Sequence, residues 1–106
     1  MSKVLQMVGF KVDREFFGVP IAKVKEIVRV PEITHVPDTP EFVEGVINLR
    51  GKIVPVVDMR KRLGAKSIER SRTSRVLILE MEKGVVGLIV DSASEILKIS
   101  DEAIEP

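Results

Sequence analysis

Cysteine is absent from the 106-residue chain, and histidine occurs once, at position 35. The missing cysteines exclude disulfide bonds, thiolate metal sites and a cysteine nucleophile. A metal site built on His35 would need carboxylate partners, which the sequence does not group around it, so a surface histidine is the simpler interpretation. No serine or aspartate stands in a motif that pairs a nucleophile with a base. The sequence therefore predicts neither an enzyme site nor a cofactor.

Aromatic residues are also scarce, at 4% and all phenylalanine, so aliphatic side chains must build the core. The net charge is only +1, which gives the whole protein no field to attract nucleic acid. No apolar stretch approaches the ~20 residues that a membrane-spanning helix needs. The N-terminus MSKVLQMVGF has no long apolar segment of the signal-peptide type, and with no disulfides this predicts a cytoplasmic protein.

The first forty residues combine predicted strands with predicted short helices. Alternating apolar residues in VLQMVGFKV predict a half-buried strand, and FFGVPI predicts a second one. In PIAKVKEIV the apolar residues follow helical spacing, which predicts a short amphipathic helix starting at Pro20. Thr39 followed by Pro40 predicts another helix of about one turn, because threonine caps helices and proline suits their first position.

The segment from Gly45 to Gly64, GVINLRGKIVPVVDMRKRLG, predicts a strand, a turn and a second strand. Gly51 can adopt a positive φ in the turn, and Asp58 can cap a short helix that Gly64 ends. Arg50 stands alone in this apolar surrounding. A guanidinium is rarely buried unpaired, so Arg50 either closes a solvated turn or is held there to meet a partner.

Two apolar segments, RVLILEM and VVGLIV, flank a turn at Glu82 to Gly84 and predict a β-hairpin. The segment SEILKIS is expected to extend the second strand past a bulge near Asp91 and Ser92. Many short strands with single-turn helices indicate a mostly β protein of barrel or SH3-like type. These strands hold more β-branched residues than one sheet face requires, which indicates either a binding surface or two lobes that pack together.

A basic stretch covers residues 60–75 and carries seven cations: Arg60, Lys61, Arg62, Lys66, Arg70, Arg72 and Arg75. One interpretation is a solvated helix face and loop. The other is a nucleic-acid site on a small SH3-like barrel, which remains the alternative function. The stretch has no aromatic residue on which bases could stack, and this weakens the second interpretation.

The chain closely resembles the CheW family from about Phe10 to Pro106. The resemblance is carried by FGVPIAKVKEIV, by ITHVPDTPEFVEGVINLRGKIVPVVDMRKRLG and by VVGLIVDSASEIL. CheW is the non-catalytic adaptor that couples chemoreceptors to the histidine kinase CheA in bacterial chemotaxis. The same module also occurs at the end of CheA and in CheV-type proteins, and the lack of an attached receiver or kinase segment favours the stand-alone adaptor.

The resemblance implies two five-stranded β-barrel lobes side by side: one mainly of residues 1–45 plus the C-terminal residues, the other mainly of residues 46–95. It implies no cofactor. The implied partners are the regulatory domain of a CheA-type kinase and the cytoplasmic tips of chemoreceptors, and the protein would be recruited to the receptor arrays at the membrane. The implied receptor-binding residues are Val24, Lys25, Glu26, Gly45, Val46, Asn48 and Arg50. The implied kinase-binding residues are Ile53, Val76, Ile78, Val86 and Leu88.

Members of this family continue past the position of Pro106 with another strand and a helix. The resemblance therefore implies a shortened form whose first lobe has an uncovered sheet edge. Such edges recruit other strands, so we expect dimerisation or strand exchange at high concentration, driven also by apolar residues between Ile96 and Ile104.

Overall fold

The computed structural model describes residues 4–66 and 70–100, with side chains described for residues 6–66 and 70–93. Eight strands dominate this part of the chain, which confirms the prediction of a mostly β protein. They are β1 (Val4–Val12), β2 (Glu15–Pro20), β3 (Val24–Arg29), β4 (Val43–Leu49), β5 (Lys52–Asp58), β6 (Arg75–Met81), β7 (Gly84–Val90) and β8 (Ser92–Ser100). A 3-10 turn covers Ile21–Lys23, and one short helix, α1, covers Met59–Arg62.

The strands form two sheets. A three-stranded antiparallel sheet has the order β2-β1-β8, and a five-stranded sheet has the order β3-β6-β7-β5-β4. In the five-stranded sheet only β5 and β7 are parallel, over Val56–Asp58 and Gly87–Ile89. The division of the chain into lobes 1–45 and 46–95 stays a prediction.

Strand β6 lies between the two parts of the core. Its residues Val76 and Ile78, 0% and 1% exposed, belong to a cluster inside the five-stranded sheet. The intervening Leu77 and Leu79, 0% and 6% exposed, belong to a second cluster that includes Val8 of β1. Side chains alternate between the two faces of a strand, so β6 buries both of its faces. The apolar residues on both faces of this strand are therefore buried by packing inside the fold.

Two predicted helices are absent. The segment that follows Pro20 makes one 3-10 turn, and then strand β3 pairs antiparallel with β6, Ile27 facing Leu77. The prediction of an amphipathic helix over PIAKVKEIV was wrong, because its β-branched residues find a buried strand to pair with. Around Thr39 the chain makes turns: the Thr39 hydroxyl donates to the carbonyl of Val36 instead of capping a helix.

Both predicted hairpins are confirmed, β4–β5 and β6–β7. The predicted cap is confirmed as well, since the Asp58 carboxylate accepts hydrogen bonds from the amides of Arg60 and Lys61 at the start of α1. The segment after Asp91 does not continue β7 in its own sheet. It forms β8, which pairs antiparallel with β1 in the three-stranded sheet. The side chains of Ile96, Leu97 and Ile99, and all of Ile104, lie outside the described residues, and dimerisation stays a prediction.

Asp91 joins the two sheets at the point where the chain passes from β7 to β8. Its carboxylate accepts hydrogen bonds from Arg60 of α1, at 2.9 Å from Nε and 2.6 Å from the terminal nitrogen, and from the amide of Asp13 at 3.0 Å. Arg60 also lies 3.6 Å from the Asp13 carboxylate. The hydrogen bond from Arg60 lowers the pKa of Asp91, and this effect is larger than the opposing effect of burial, which raises it. The same bond raises the pKa of Arg60.

Candidate functional site

The turn between β4 and β5 contains only two residues, Arg50 and Gly51. Both have a positive φ, 52° and 84°, as a type I′ hairpin turn requires. The Asn48 side chain supports the turn by accepting a hydrogen bond from the Gly51 amide at 2.8 Å. A non-glycine residue in the left-handed region costs about 1 kcal/mol, so the chain keeps an arginine here against its backbone preference.

The Arg50 guanidinium meets a carboxylate from another strand. Its two terminal nitrogens donate to the two carboxylate oxygens of Glu26, on β3, at 2.6 and 3.1 Å. This two-bond geometry is the strongest form of an arginine–carboxylate pair. The Arg50 side chain is 76% exposed and that of Glu26 24%, so the pair stands at the surface with its carboxylate partly covered. Arg50 thus both closes a solvated turn and is held by a partner within the chain.

A groove of about 350 Å³ opens beside this ion pair. Ile53, 64% exposed, stands at its edge, and Val54 and Ile78 of the core lie at its base. The full set of lining residues is Lys25, Glu26, Leu49, Arg50, Lys52, Ile53, Val54, Ile78 and Val85. An apolar floor with a charged rim is the usual composition of a protein-binding surface.

Ile53 of the groove also belongs to the outer face of the β4–β5 hairpin. Asn48 faces Ile53 across the two strands, and Val46 faces Pro55. Asn48, Ile53 and Pro55 are exposed, and Val46 is half-buried. Paired residues of antiparallel strands project to the same face, so these four side chains form one surface. Members of the two predicted binding sets are therefore direct neighbours.

Strand β4 is bridged to the chain that follows β3. The backbone amides of Thr34 and Val46 each donate to the other's carbonyl at 2.9 Å. Gly45 makes this approach possible: its φ is 151°, and a Cβ atom there would overlap the carbonyl of Thr34. Gly45 is buried, so it shapes the neighbouring hairpin through backbone geometry, and its predicted part in receptor binding stays a prediction.

Other predicted site residues lie in or near the core. Val76 and Ile78 are 0% and 1% exposed, which corrects the expectation that both present a kinase-binding surface; only Ile78 reaches a groove, at its floor. Val86 and Leu88 are half-buried against the cluster of β1 and β6. Val24 packs against the same cluster, which favours the core interpretation of this residue over an exposed apolar patch.

The basic stretch is largely engaged within the fold. Lys61 donates to Glu44 at 2.6 Å, and Arg70 lies 3.3 Å from the same carboxylate. These contacts, Lys61 first, lower the pKa of Glu44, and the hydrogen bond to Glu44 raises the pKa of Lys61. Arg60 holds Asp91, and Arg62 lies over the ring of Phe42 at 5.2 Å. Nothing here supports the nucleic-acid alternative.

Within residues 6–66 and 70–93, no group of three or more histidine, aspartate or glutamate side chains could hold a metal ion. The same ranges contain no helix long and apolar enough to cross a membrane.

Sequence reasoning missed several members of the site. Leu49, Lys52 and Val85 line the groove, and Thr34 fixes β4, although none was predicted as a site residue. The position of Leu49 and Lys52 on either side of the predicted turn was the available signal for two of them. For Thr34 the sequence holds no signal, because its partner is a backbone twelve positions away in a loop-to-strand bridge.

Comparison with known proteins identifies relatives across nearly the whole chain. Residues 6–106 match the sequence model of a family described as CheW-like domain. The chemotaxis protein CheW of Klebsiella aerogenes is 36% identical over 97 residues, which cover 92% of this chain and 58% of the relative. The chemotaxis protein CheW of Rhizobium meliloti is 40% identical over 101 residues, or 95% of this chain and 65% of the relative.

A solved structure shares the fold. The crystal structure of the scaffolding protein TtCheW from Thermoanaerobacter tengcongensis superposes with a TM-score of 0.92 at 43% identity, covering 98% of this chain and 71% of that one. The chain spans 58% to 65% of the length of four curated relatives that it matches.

Proposed function

We propose that this chain, which belongs to the family of CheW-like domains, is a non-catalytic scaffold that couples chemoreceptors to a CheA-type histidine kinase. Relatives named chemotaxis protein CheW, at 30% to 40% identity, support the proposal, as does a structural neighbour described as a scaffolding protein. The protein would work in the cytoplasm and be recruited to receptor arrays at the membrane.

The groove beside the Arg50–Glu26 pair is the observation that carries this proposal. It places an exposed isoleucine, an apolar floor and an oriented ion pair in one concave surface. An amphipathic receptor helix can lay its apolar face in such a groove and align its polar flank with the charged rim. Lys25, Glu26 and Arg50 line this groove, and Asn48 and Val46 adjoin it on the outer face of the hairpin.

Arg50 would act in two ways. Through Glu26 it fixes the hairpin tip against β3, which keeps the groove open at one width. A guanidinium has five N–H donors, and two of them are used by Glu26, so three remain for carbonyl or carboxylate groups of a receptor. The first role needs only an ion pair, whereas the second needs the guanidinium at position 50.

The kinase would meet the outer face of the β4–β5 hairpin, centred on Ile53 and Pro55. Ile53 is 64% exposed and is the one member of the predicted kinase set whose side chain is mostly open. Burying such a side chain in a partner is worth about 1.5–3 kcal/mol. Val86 and Leu88 would support this surface from within the fold.

Reversing the ion pair tests the receptor side of the proposal. Arg50→Glu, Glu26→Arg and the double variant would be sedimented with membranes that carry a chemoreceptor, and bound chain would be measured against concentration. Each single variant is expected to lose at least tenfold in affinity, because it places like charges together and breaks the pair. The double variant separates the two roles: recovery of binding assigns Arg50 to positioning, and failure to recover assigns its guanidinium to direct contact.

Arg14→Glu supplies the control, since it makes the same charge reversal as Arg50→Glu in the exposed β1–β2 turn, which contributes no residue to the groove. Its binding should equal that of the unchanged chain. The proposal is wrong if Arg50→Glu and Glu26→Arg bind receptor membranes as tightly as the Arg14→Glu control, or if the unchanged chain does not bind them at all.

A further inference from the structure

A cleft of about 970 Å³, larger than the groove, lies at the other end of β3 from it. The groove involves Lys25 and Glu26, whereas the cleft begins at Arg29, roughly 10 Å further along the strand. Its walls are the end of β3, the connector that follows it, and the loop that leads into β6. The cleft is therefore a surface separate from the one proposed for receptor and kinase.

Positive charge is concentrated in this cleft. Arg29 of β3 faces Arg75 of β6 directly across the antiparallel pair, an arrangement that like charges make unfavourable. Arg70 and Arg72 add two more cations, against one lining carboxylate, Glu44. That carboxylate is already paired with Lys61 and Arg70. Arg70 also lies 3.7 Å from the Asp58 carboxylate. Among the side chains of residues 6–66 and 70–93, the charge that no carboxylate compensates is therefore that of Arg29, Arg72 and Arg75.

The arginines of the cleft differ in how they are held. The Arg75 guanidinium donates to the carbonyls of Arg72 and Ser74, both at 2.8 Å, and so fixes the loop. Arg29 and Arg72 are exposed and form no ion pair with any side chain of residues 6–66 or 70–93. Two guanidinium groups on ordered supports are therefore available to an anionic partner.

Apolar residues form the remaining wall. Val30 and Ile33 are half-buried against the core cluster of the five-stranded sheet, and Pro31 lies between them along the chain. A small phosphate would leave this wall uncovered, and His35 is the single ring among the lining residues on which a nucleic-acid base could stack. A chain that carries both carboxylates and aliphatic side chains matches both parts of the lining.

We propose that this cleft is a docking site for an acidic, amphipathic peptide segment of a partner protein. Carboxylates of the segment pair with Arg29 and Arg72, and its aliphatic side chains cover Val30, Pro31 and Ile33. Because the contacts are charge-assisted and partly exposed, binding weakens as salt concentration rises. The site is additional to the coupling function and does not depend on it.

Fluorescence anisotropy tests the proposal with the 106-residue chain and two labelled synthetic peptides, one of repeated Glu-Glu-Leu and one of repeated Lys-Lys-Leu. The acidic peptide should bind saturably, and the basic one should not. Arg29→Glu and Arg72→Glu should each weaken binding about tenfold, as expected for the loss of one charge-assisted contact. Arg14→Glu, which makes the same change of charge in the exposed β1–β2 turn outside the cleft, should leave binding unchanged.

Thermal unfolding of the same variants shows whether a loss of binding comes from a loss of folded protein. Arg29→Glu replaces a like-charge cross-strand pair by an opposite-charge pair, so its melting temperature should not fall. The proposal is overturned if the acidic peptide does not saturate, if Arg14→Glu loses as much affinity as the cleft variants, or if both cleft variants bind like the unchanged chain. Tighter binding of inorganic phosphate or a single-stranded oligonucleotide than of the peptide would also overturn it.

Discussion

Removal of the Asp91 carboxylate should destabilise the protein, because this side chain joins the two sheets. Asp91 accepts three hydrogen bonds, two from Arg60 and one from the amide of Asp13, and it links α1 to the β1–β2 turn of the other sheet. The side chains of Arg60 and Asp91 are 13% and 23% exposed. Asp91→Ala would leave the Arg60 cation partly buried, with the Asp13 carboxylate at 3.6 Å and the neutral carbonyl of Lys66 at 3.0 Å as the contacts that remain.

Breaking a fully buried pair costs 3–5 kcal/mol, and partial exposure reduces this, so we expect Asp91→Ala to lower the free energy of unfolding by about 2–3 kcal/mol. Asp91→Asn keeps one oxygen acceptor and should lose about half as much. Urea unfolding followed by circular dichroism measures both values, and the slope with denaturant should stay constant. Glu80→Ala, an exposed site on β6, should change stability by less than about 0.5 kcal/mol.

A double-mutant cycle with Arg60→Met isolates the interaction between the two side chains. The double variant should be more stable than the sum of the single losses predicts, because it removes the unpaired charge. The reasoning is refuted if Asp91→Ala unfolds within about 0.5 kcal/mol of the unchanged chain, or if the coupling energy is near zero.

Three further outcomes follow from the structure. Gly45→Ala should lower the free energy of unfolding, measured in urea, by about 3 kcal/mol, because the new Cβ would overlap the carbonyl of Thr34. Gly84→Ala, at φ 134° with open space around it, should lower it by about 1 kcal/mol. Equal losses would contradict the overlap. Both Arg50→Asn and Arg50→Ala lose the ion pair, but asparagine adopts the left-handed turn conformation at lower cost. The free energy of unfolding of Arg50→Asn should therefore be about 1 kcal/mol higher than that of Arg50→Ala. The reverse order would contradict the role of the turn. The folded state lowers the pKa of Asp91 below its ordinary value of 3.8. The stabilisation by the Asp91 carboxylate is therefore complete above that value and is lost as pH falls through the folded pKa. Between about pH 6 and about pH 2 the free energy of unfolding should fall less steeply for Asp91→Asn than for the unchanged chain, and parallel curves would contradict this.

Local turn chemistry made the hairpins predictable from sequence. Gly51 and the turn at Glu82 to Gly84 each stand between β-branched segments, and Asp58 precedes a short polar helix, so position and type followed from neighbouring residues. In the segment after Pro20 the same residues suit two structures. Val24, Ile27 and Val28 fit a helical face by spacing, yet they pair with β6, which is about fifty residues away along the chain. Such non-local pairing is invisible to local periodicity.

The candidate site was predictable in part for a similar reason. The resemblance to the CheW family implied that Glu26 and Arg50 bind the receptor. Their direct contact depends on β3 lying beside the tip of the β4–β5 hairpin, and only the fold reveals this. For β6, a run of consecutive apolar residues is ambiguous between a surface strand and one buried on both faces. The structure places Val76 and Ile78 in the second class, and the exposed Ile53 remains as the apolar centre of the site.

Retention of the kinase on receptor membranes is the most direct test of the coupling function. Membranes with a chemoreceptor and a fixed amount of CheA-type kinase would be sedimented with increasing amounts of the chain. The unchanged chain should raise the sedimented kinase to a plateau, Ile53→Asp should not, and Met81→Asp, at an apolar site 51% exposed outside the groove, should match the unchanged chain. Kinase retention that is independent of the chain, or equal with Ile53→Asp and Met81→Asp, would contradict the account.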